Sequence, residues 1–330
     1  MTAAQTRPAA ALPVAVNLLV VYVIWGSTYL AIRLVVETLP PFLAAGVRFL
    51  SAGVLMLGFL WVRARIDRSP HALEPTSWRH WRSAAIVGGL LLFGGNGFVS
   101  QAERHIDSGI AAVLIAAVPI FMSLFDAFVT RRRPSLLAIG GVVAGFIGIL
   151  VLLAPMNGVA PVDPLGIGLA VFAAVSWAAG SVYAQHAPMP RSGLLATGME
   201  MLAGGVVLVL AGIVLGEPAG VDLGHLSAIS VLALGYLVVF GSLLAFSSYT
   251  WLLAHAPVST VATYAYVNPV VAVALGALLL SEPITPRTLL ASALIIGAVV
   301  AMVSGRPRHQ AEPVSVAADN PSPRDPAPAD

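Results

Sequence analysis

The chain is laid out as ten apolar runs of about 20 residues separated by polar breaks, and that feature leaves few folds open. The runs lie near 14–36, 41–62, 83–101, 108–130, 135–154, 164–184, 193–215, 227–251, 257–280 and 285–304. Each can cross roughly 30 Å of hydrocarbon at about 1.5 Å per residue. Periodicity does not separate helix from strand in runs this uniformly apolar, but length does. Lipid holds no water to satisfy open backbone groups, so only helices and closed barrels span it, and barrel strands are about 10 residues long. The expectation is an all-α integral membrane protein with ten transmembrane helices. Only 10% of the 330 residues are charged, against about 25% in soluble domains. The run at 14–36 is too long for a signal-peptide core and ends at Arg33 and Glu37 without a small-residue cleavage site, so it reads as the first span.

Composition removes several chemistries. There is no cysteine, which excludes disulfides and thiolate-ligated metals. There is no lysine either, since all 17 basic residues are arginine. A Walker A loop and a retinal or pyridoxal Schiff base both need that lysine. No cofactor is expected. The net charge of +2 gives no reason to expect a nucleic-acid partner, because the arginines sit at helix ends.

Segments 1–13 and 305–330, rich in Ala, Pro and charge, read as disordered tails. Placing the N-terminus in the cytoplasm puts Arg7, Arg63, Arg65, Arg68, Arg79, Arg82, Arg131, Arg132, Arg133, Arg191, Arg306 and Arg308 inside. Outside are Arg104 and Arg287, with Arg33 at a helix end. By the positive-inside rule both termini are cytoplasmic, in a cell (inner or plasma) membrane.

The two halves can be laid over one another. Trp25 matches Trp177 and Arg48 matches Glu200 at one spacing (177 − 25 = 200 − 48 = 152). Around the second pair, Ala45–Gly53 faces Thr197–Gly205, then Phe93-Gly94 matches Phe240-Gly241 and Pro119 matches Pro269. Five spans per half is an odd number, so the second half enters the membrane from the opposite side. That predicts two inverted five-helix repeats, 14–154 and 164–304, with a site between them near the midplane.

Trp25-Gly26-Ser27-Thr28-Tyr29, Arg48-Phe49, Ser176-Trp177-Ala178-Ala179-Gly180-Ser181-Val182-Tyr183, Glu200-Met201-Leu202 and Tyr264-Ala265-Tyr266-Val267-Asn268-Pro269-Val270-Val271 carry a family resemblance. Over roughly 14–304 the chain resembles the drug/metabolite transporter superfamily, of the ten-helix EamA type, and these stretches look like those of YedA-like exporters. The resemblance implies a secondary exporter of amino acids or other metabolites with no bound cofactor. The family often ends the fourth helix of each repeat with Glu. Here the second copy keeps Glu282, and the first has Arg131-Arg132-Arg133.

Candidate substrate-binding residues follow from depth and spacing. Trp25, Thr28 and Tyr29 share one face of the first helix, Trp177 and Ser181 the equivalent face of the sixth, and Tyr264 and Asn268 a face of the ninth. Aromatic faces with a few polar groups suit an amphipathic solute, and they equally suit an interfacial belt or a packed core. Asn96 is placed with them. Arg48 and Glu200 are deep charges, each either a substrate or gating group or part of a structural ion pair. Asp126 either carries a coupling proton or pairs at its helix end with Arg131–Arg133. Pro119 and Pro269 break matching helices and are read as hinges or packing kinks. Gly141, Gly145 and Gly148 suit close packing, read as internal to a monomer.

The functional expectation is a secondary transporter working by alternating access, with lipid around it and a small-molecule substrate inside. An importer or facilitator of another metabolite or drug stays open, since the driving gradient sets direction. A membrane-embedded enzyme is the distant alternative. Asp126 has no deep Asp partner, HExxH is absent, and the histidines (His71, His80, His105, His186, His225, His255 and His309) fall in loops or at span ends. A sugar-phosphate carrier would gather several basic groups, and only Arg48 lies deep. An amino acid fits better.

Overall fold

The computed structural model describes residues 11–66, 74–131, 136–154, 161–256, 258–261 and 263–304. Ten helical spans run through them: α1 (Ala11–Val36), α2 (Pro41–Ile66), α3 (Trp78–Ala102), α4 (Ser108–Val129), α5 (Leu136–Leu153), α6 (Pro164–His186), α7 (Gly193–Val214), α8 (Ala228–Leu252), α9 (Tyr264–Leu280) and α10 (Pro286–Ser304). Among the described residues there is no strand. Seven spans are long and apolar enough to cross a membrane, and α5, α9 and α10 are shorter apolar helices. Val54, Phe59, Leu150, Leu232 and Leu278 are each more than half exposed. An outer surface of that kind faces lipid.

The packing has the symmetry expected of inverted repeats. Helix α1 lies against α8 and α9, while its counterpart α6 lies against α3 and α4. Helices α3 and α7 pack together, as do their counterparts α8 and α2. The three remaining principal contacts, α2 with α7, α5 with α10 and α4 with α9, each join a helix to its own counterpart. At the α2–α7 crossing the backbones nearly touch. A Cβ on Gly53 would sit 2.8 Å from the Leu202 nitrogen, and one on Gly205 would sit 2.7 Å from the Leu50 nitrogen. Small residues are what allow two helices in lipid to approach this closely. Gly53 and Gly205 are themselves matched positions, so the seam is complementary to itself. Gly145 and Gly148 face Ile120 and Ile295, which gives that stripe a packing role within the chain.

Helix ends follow from local chemistry. Helix α3 begins five residues earlier than its apolar run, because Ser77 and His80 form a reciprocal cap. Helix α1 begins at Ala11, inside the segment read as a tail. The ninth run was expected from 257, but it holds a single turn, Val258–Val261, before the long helix starts at Tyr264. The rest of the two tails, with Arg68, Arg132, Arg133 and His71, lies outside the described residues.

Two acids from the second half cap helices of the first. The Glu217 carboxylate accepts the Phe42 (3.2 Å) and Leu43 (2.8 Å) N–H groups at the start of α2. The Glu282 carboxylate accepts from the Ser108 N–H, the Ser108 hydroxyl (both 2.9 Å) and the Gly109 N–H (3.2 Å) at the start of α4. Glu282→Ala is expected to lower stability by about 1–2 kcal/mol, the usual cost of a lost N-terminal cap. The check is thermal unfolding in detergent, with Glu282→Gln falling between the two.

Candidate substrate site

A cavity lies between the halves and takes in about 800 Å³ of space between atoms, its open part included. Helix α1 contributes Trp25, Thr28, Tyr29 and Ile32, and α2 contributes Arg48. Asn96, Pro119, Trp177, Phe246, Tyr264, Asn268 and Pro269 complete much of the wall. Seven spans thus meet at one place.

The aromatic side chains hold one another. Trp25 makes edge contacts with Phe246 and Tyr264, both at 5.2 Å between ring centroids, and a tilted contact with Tyr249 at 5.1 Å. Such offset arrangements suit the ring quadrupole. Arg48 is 4% exposed. Its Nε donates to the Ser242 hydroxyl at 3.0 Å, and its guanidinium lies 4.6 Å from the Phe49 ring centroid. No carboxylate partners it among the described residues. A buried cation with one neutral hydrogen bond retains unused donors, since guanidinium carries five.

Two wide-turn stretches shape the wall. Gly89–Gly97 in α3 and Leu237–Leu244 in α8 are π-helical, and they contain the matched pairs Phe93-Gly94 and Phe240-Gly241. Wide turns loosen the backbone hydrogen-bond ladder and recur at functional sites. Here the opposite half supplies donors to them. The Ser176 hydroxyl on α6 donates to the Leu90 carbonyl at 2.8 Å. The Trp25 indole on α1 donates to the Gly241 carbonyl at 3.3 Å.

Of the twelve residues singled out in the sequence, ten line this cavity: Trp25, Thr28, Tyr29, Arg48, Asn96, Pro119, Trp177, Tyr264, Asn268 and Pro269. Ser181 and Glu200 do not. Ser181 donates back to the Trp177 carbonyl at 2.8 Å, and Glu200 lies on α7 against Gly88 of α3. The repeat explains this. Ser181 and Glu200 are the counterparts of Tyr29 and Arg48, at opposite depth, and the cavity extends only toward the end that holds the C-terminus of α1. Arg48 and Glu200 do not pair. Asp126 is exposed in the last turn of α4. The prolines differ in setting: Pro119 restarts α4 after a turn at Ala116–Ala117, whereas Pro269 lies inside continuous α9. Sequence reasoning missed Phe246. The register of Phe93-Gly94 on Phe240-Gly241, carried six residues on, pairs it with Val99, a cavity residue the sequence does not single out either.

Residues 12–154 and 164–304 each match the EamA-like transporter family. The chain belongs to that family. The uncharacterized inner membrane transporter YedA of Escherichia coli K12 is 41% identical over 305 residues, covering 92% of this chain and 94% of its own. A probable amino-acid metabolite efflux pump of Salmonella typhimurium LT2 is 28% identical over 298 residues, covering 87% and 93%. A solved crystal structure shares the EamA-like fold seen here at a TM-score of 0.58 and 20% identity, over 89% of this chain and 97% of that one. The protein is therefore a multi-pass membrane transporter of the EamA type, and the relatives cited are named as transporters and a pump.

Proposed function

We propose that this EamA-type protein exports amino acids or related zwitterionic metabolites by alternating access, with the cavity between its halves as the substrate site. The observation that carries this reading is the Arg48 guanidinium, set into an aromatic wall with no carboxylate partner among the described residues. A carboxylate would take the unused donors as charge-assisted hydrogen bonds, and the Trp25, Tyr264 and Phe246 rings would hold an apolar side chain. One cation alone suits a single carboxylate better than a phosphate. The amino-acid efflux pump among the relatives supports the same class. Pro119 and Pro269 act in this reading as hinges, both termini are cytoplasmic, units 14–154 and 164–304 rock against each other, and one chain suffices.

The test is counterflow of labelled amino acids into proteoliposomes, with and without an imposed pH gradient. Absence of counterflow with every amino acid would defeat the substrate assignment. The wall is tested by Trp25→Ala and Trp177→Ala, each expected to weaken apparent affinity roughly 5- to 30-fold, as loss of about 1–2 kcal/mol of aromatic contact implies. Unchanged transport in both would remove the tryptophans from the site.

A further inference from the structure

A fully buried carboxylic acid lies just beyond the cavity and has no role in the substrate site described above. Glu103 follows the last residue of α3 and is 0% exposed. Neither of its carboxyl oxygens has a hydrogen-bond partner. Its N–H donates to the carbonyl of Val99 at 3.0 Å, so it stands one helical turn from a residue of the cavity wall. Its backbone carbonyl accepts from the Arg33 guanidinium, and Arg33 is one turn along α1 from Tyr29, which also lines the cavity.

The groups around it are mostly acidic. Tyr29 and Arg33 face it from α1. Glu282, between α9 and α10, is held against the start of α4 and adds negative charge. Asp107, at the N-terminus of α4, has its carboxyl pushed up by burial and then by Glu282, with Arg33 pulling it down. His105 is turned away to Asp163 at 2.9 Å, and Arg104 points outward, exposed. Among the described residues Arg33 is the cation that acts on Glu103, and the buried Arg287 lines a neighbouring pocket with Asp107.

We propose that Glu103 is a proton-binding site whose occupancy is linked to opening of the cavity at the end holding the α3–α4 connection. An ionised carboxylate without a partner is costly away from water, so burial of Glu103 favours its protonated form. Ionisation favours arrangements in which the carboxylate reaches water or turns to Arg33. Linkage then fixes the sign: a low pH stabilises the buried arrangement, and a rising pH opens this end. The link from opening to transport rests on the alternating-access reading, whereas the proton site does not.

The natural absence of cysteine gives a test that needs no substrate. Val99→Cys places one thiol on the cavity wall a turn from Glu103. Ala219→Cys, on an exposed turn, corrects for thiolate formation. The maleimide labelling rate at position 99, divided by that at 219, is expected to rise roughly tenfold between about pH 5 and about pH 9, as a one-unit difference in proton affinity between two arrangements produces. Adding Glu103→Gln is expected to flatten the ratio at its low-pH value, and Glu103→Asp to restore the slope with a moved midpoint. A flat ratio with Glu103 intact, or a slope that persists in the Gln variant, would overturn the proposal. Should the Gln variant fail to fold, infrared titration of a Glu200→Gln protein, which removes the other deep acid while keeping Glu103, decides the matter. A buried protonated carboxyl band that disappears as pH rises supports the site, and no titrating band refutes it. Failed amino-acid counterflow alongside an intact labelling slope would sink the substrate reading alone.

Discussion

Replacing Arg48 with alanine is expected to weaken counterflow of carboxylate-bearing solutes by one to two orders of magnitude while leaving the fold intact. The two halves of that expectation come from one geometry. Arg48 gives the protein little: one hydrogen bond to Ser242 and contact with the Phe49 ring. Against this stands the cost of holding a charge 4% exposed inside the bundle. Removing it should leave thermal stability unchanged or higher. The bound substrate would lose at least one charge-assisted hydrogen bond, about 1.5–3 kcal/mol, or roughly 10- to 150-fold in apparent affinity. Arg48→Lys keeps the charge without the planar fork and should fall between. Transport that persists in a folded Arg48→Ala protein would make the arginine structural.

The second large effect lies at the α2–α7 seam. Gly53→Ala should cost about 1–3 kcal/mol, the range for overpacking, because the new Cβ meets backbone and not a side chain that could turn away. Gly53→Leu should leave no folded protein. Gly205, its matched position, should respond alike. Gly58 lies further along the same helix, and a Cβ there meets nothing within 4 Å. Gly58→Ala should therefore be neutral or slightly stabilising. Fluorescence-detected size exclusion after a heating series separates these outcomes. Equal tolerance at Gly53 and Gly58 would remove the seam from the account.

The spans were legible because lipid imposes a length and forbids an open backbone, so ten apolar runs leave little choice of element. The inversion was legible from the odd number of spans per half and from matched pairs such as Trp25 with Trp177. Details set by tertiary contact were not. The wide turns at Gly89–Gly97 and Leu237–Leu244 carry no distinct apolar pattern, since glycine and leucine fit either helix. Helix α3 starts at Trp78 because a polar cap outruns the hydrophobic period. Ser181 and Glu200 were grouped with the site by spacing and depth, yet the cavity extends past its centre toward one end, so it takes both Trp25 and Trp177 but holds Tyr29 and Arg48 without their counterparts. Nothing in the sequence around Glu103 sets it apart from other acids at span ends. Its burial comes from Arg33 and from the close approach of Gly166 to Ala102, which spacing along the chain does not encode.

The two cross-half bonds, Ser176 to the Leu90 carbonyl and Trp25 to the Gly241 carbonyl, also bear on how fast the halves can part. Hydrocarbon cannot replace either donor. Drawing α1 away from α8, or α6 away from α3, strands a peptide oxygen unless a water molecule arrives with the movement. In the alternating-access reading, water entry is therefore a condition of the opening stroke and not its aftermath.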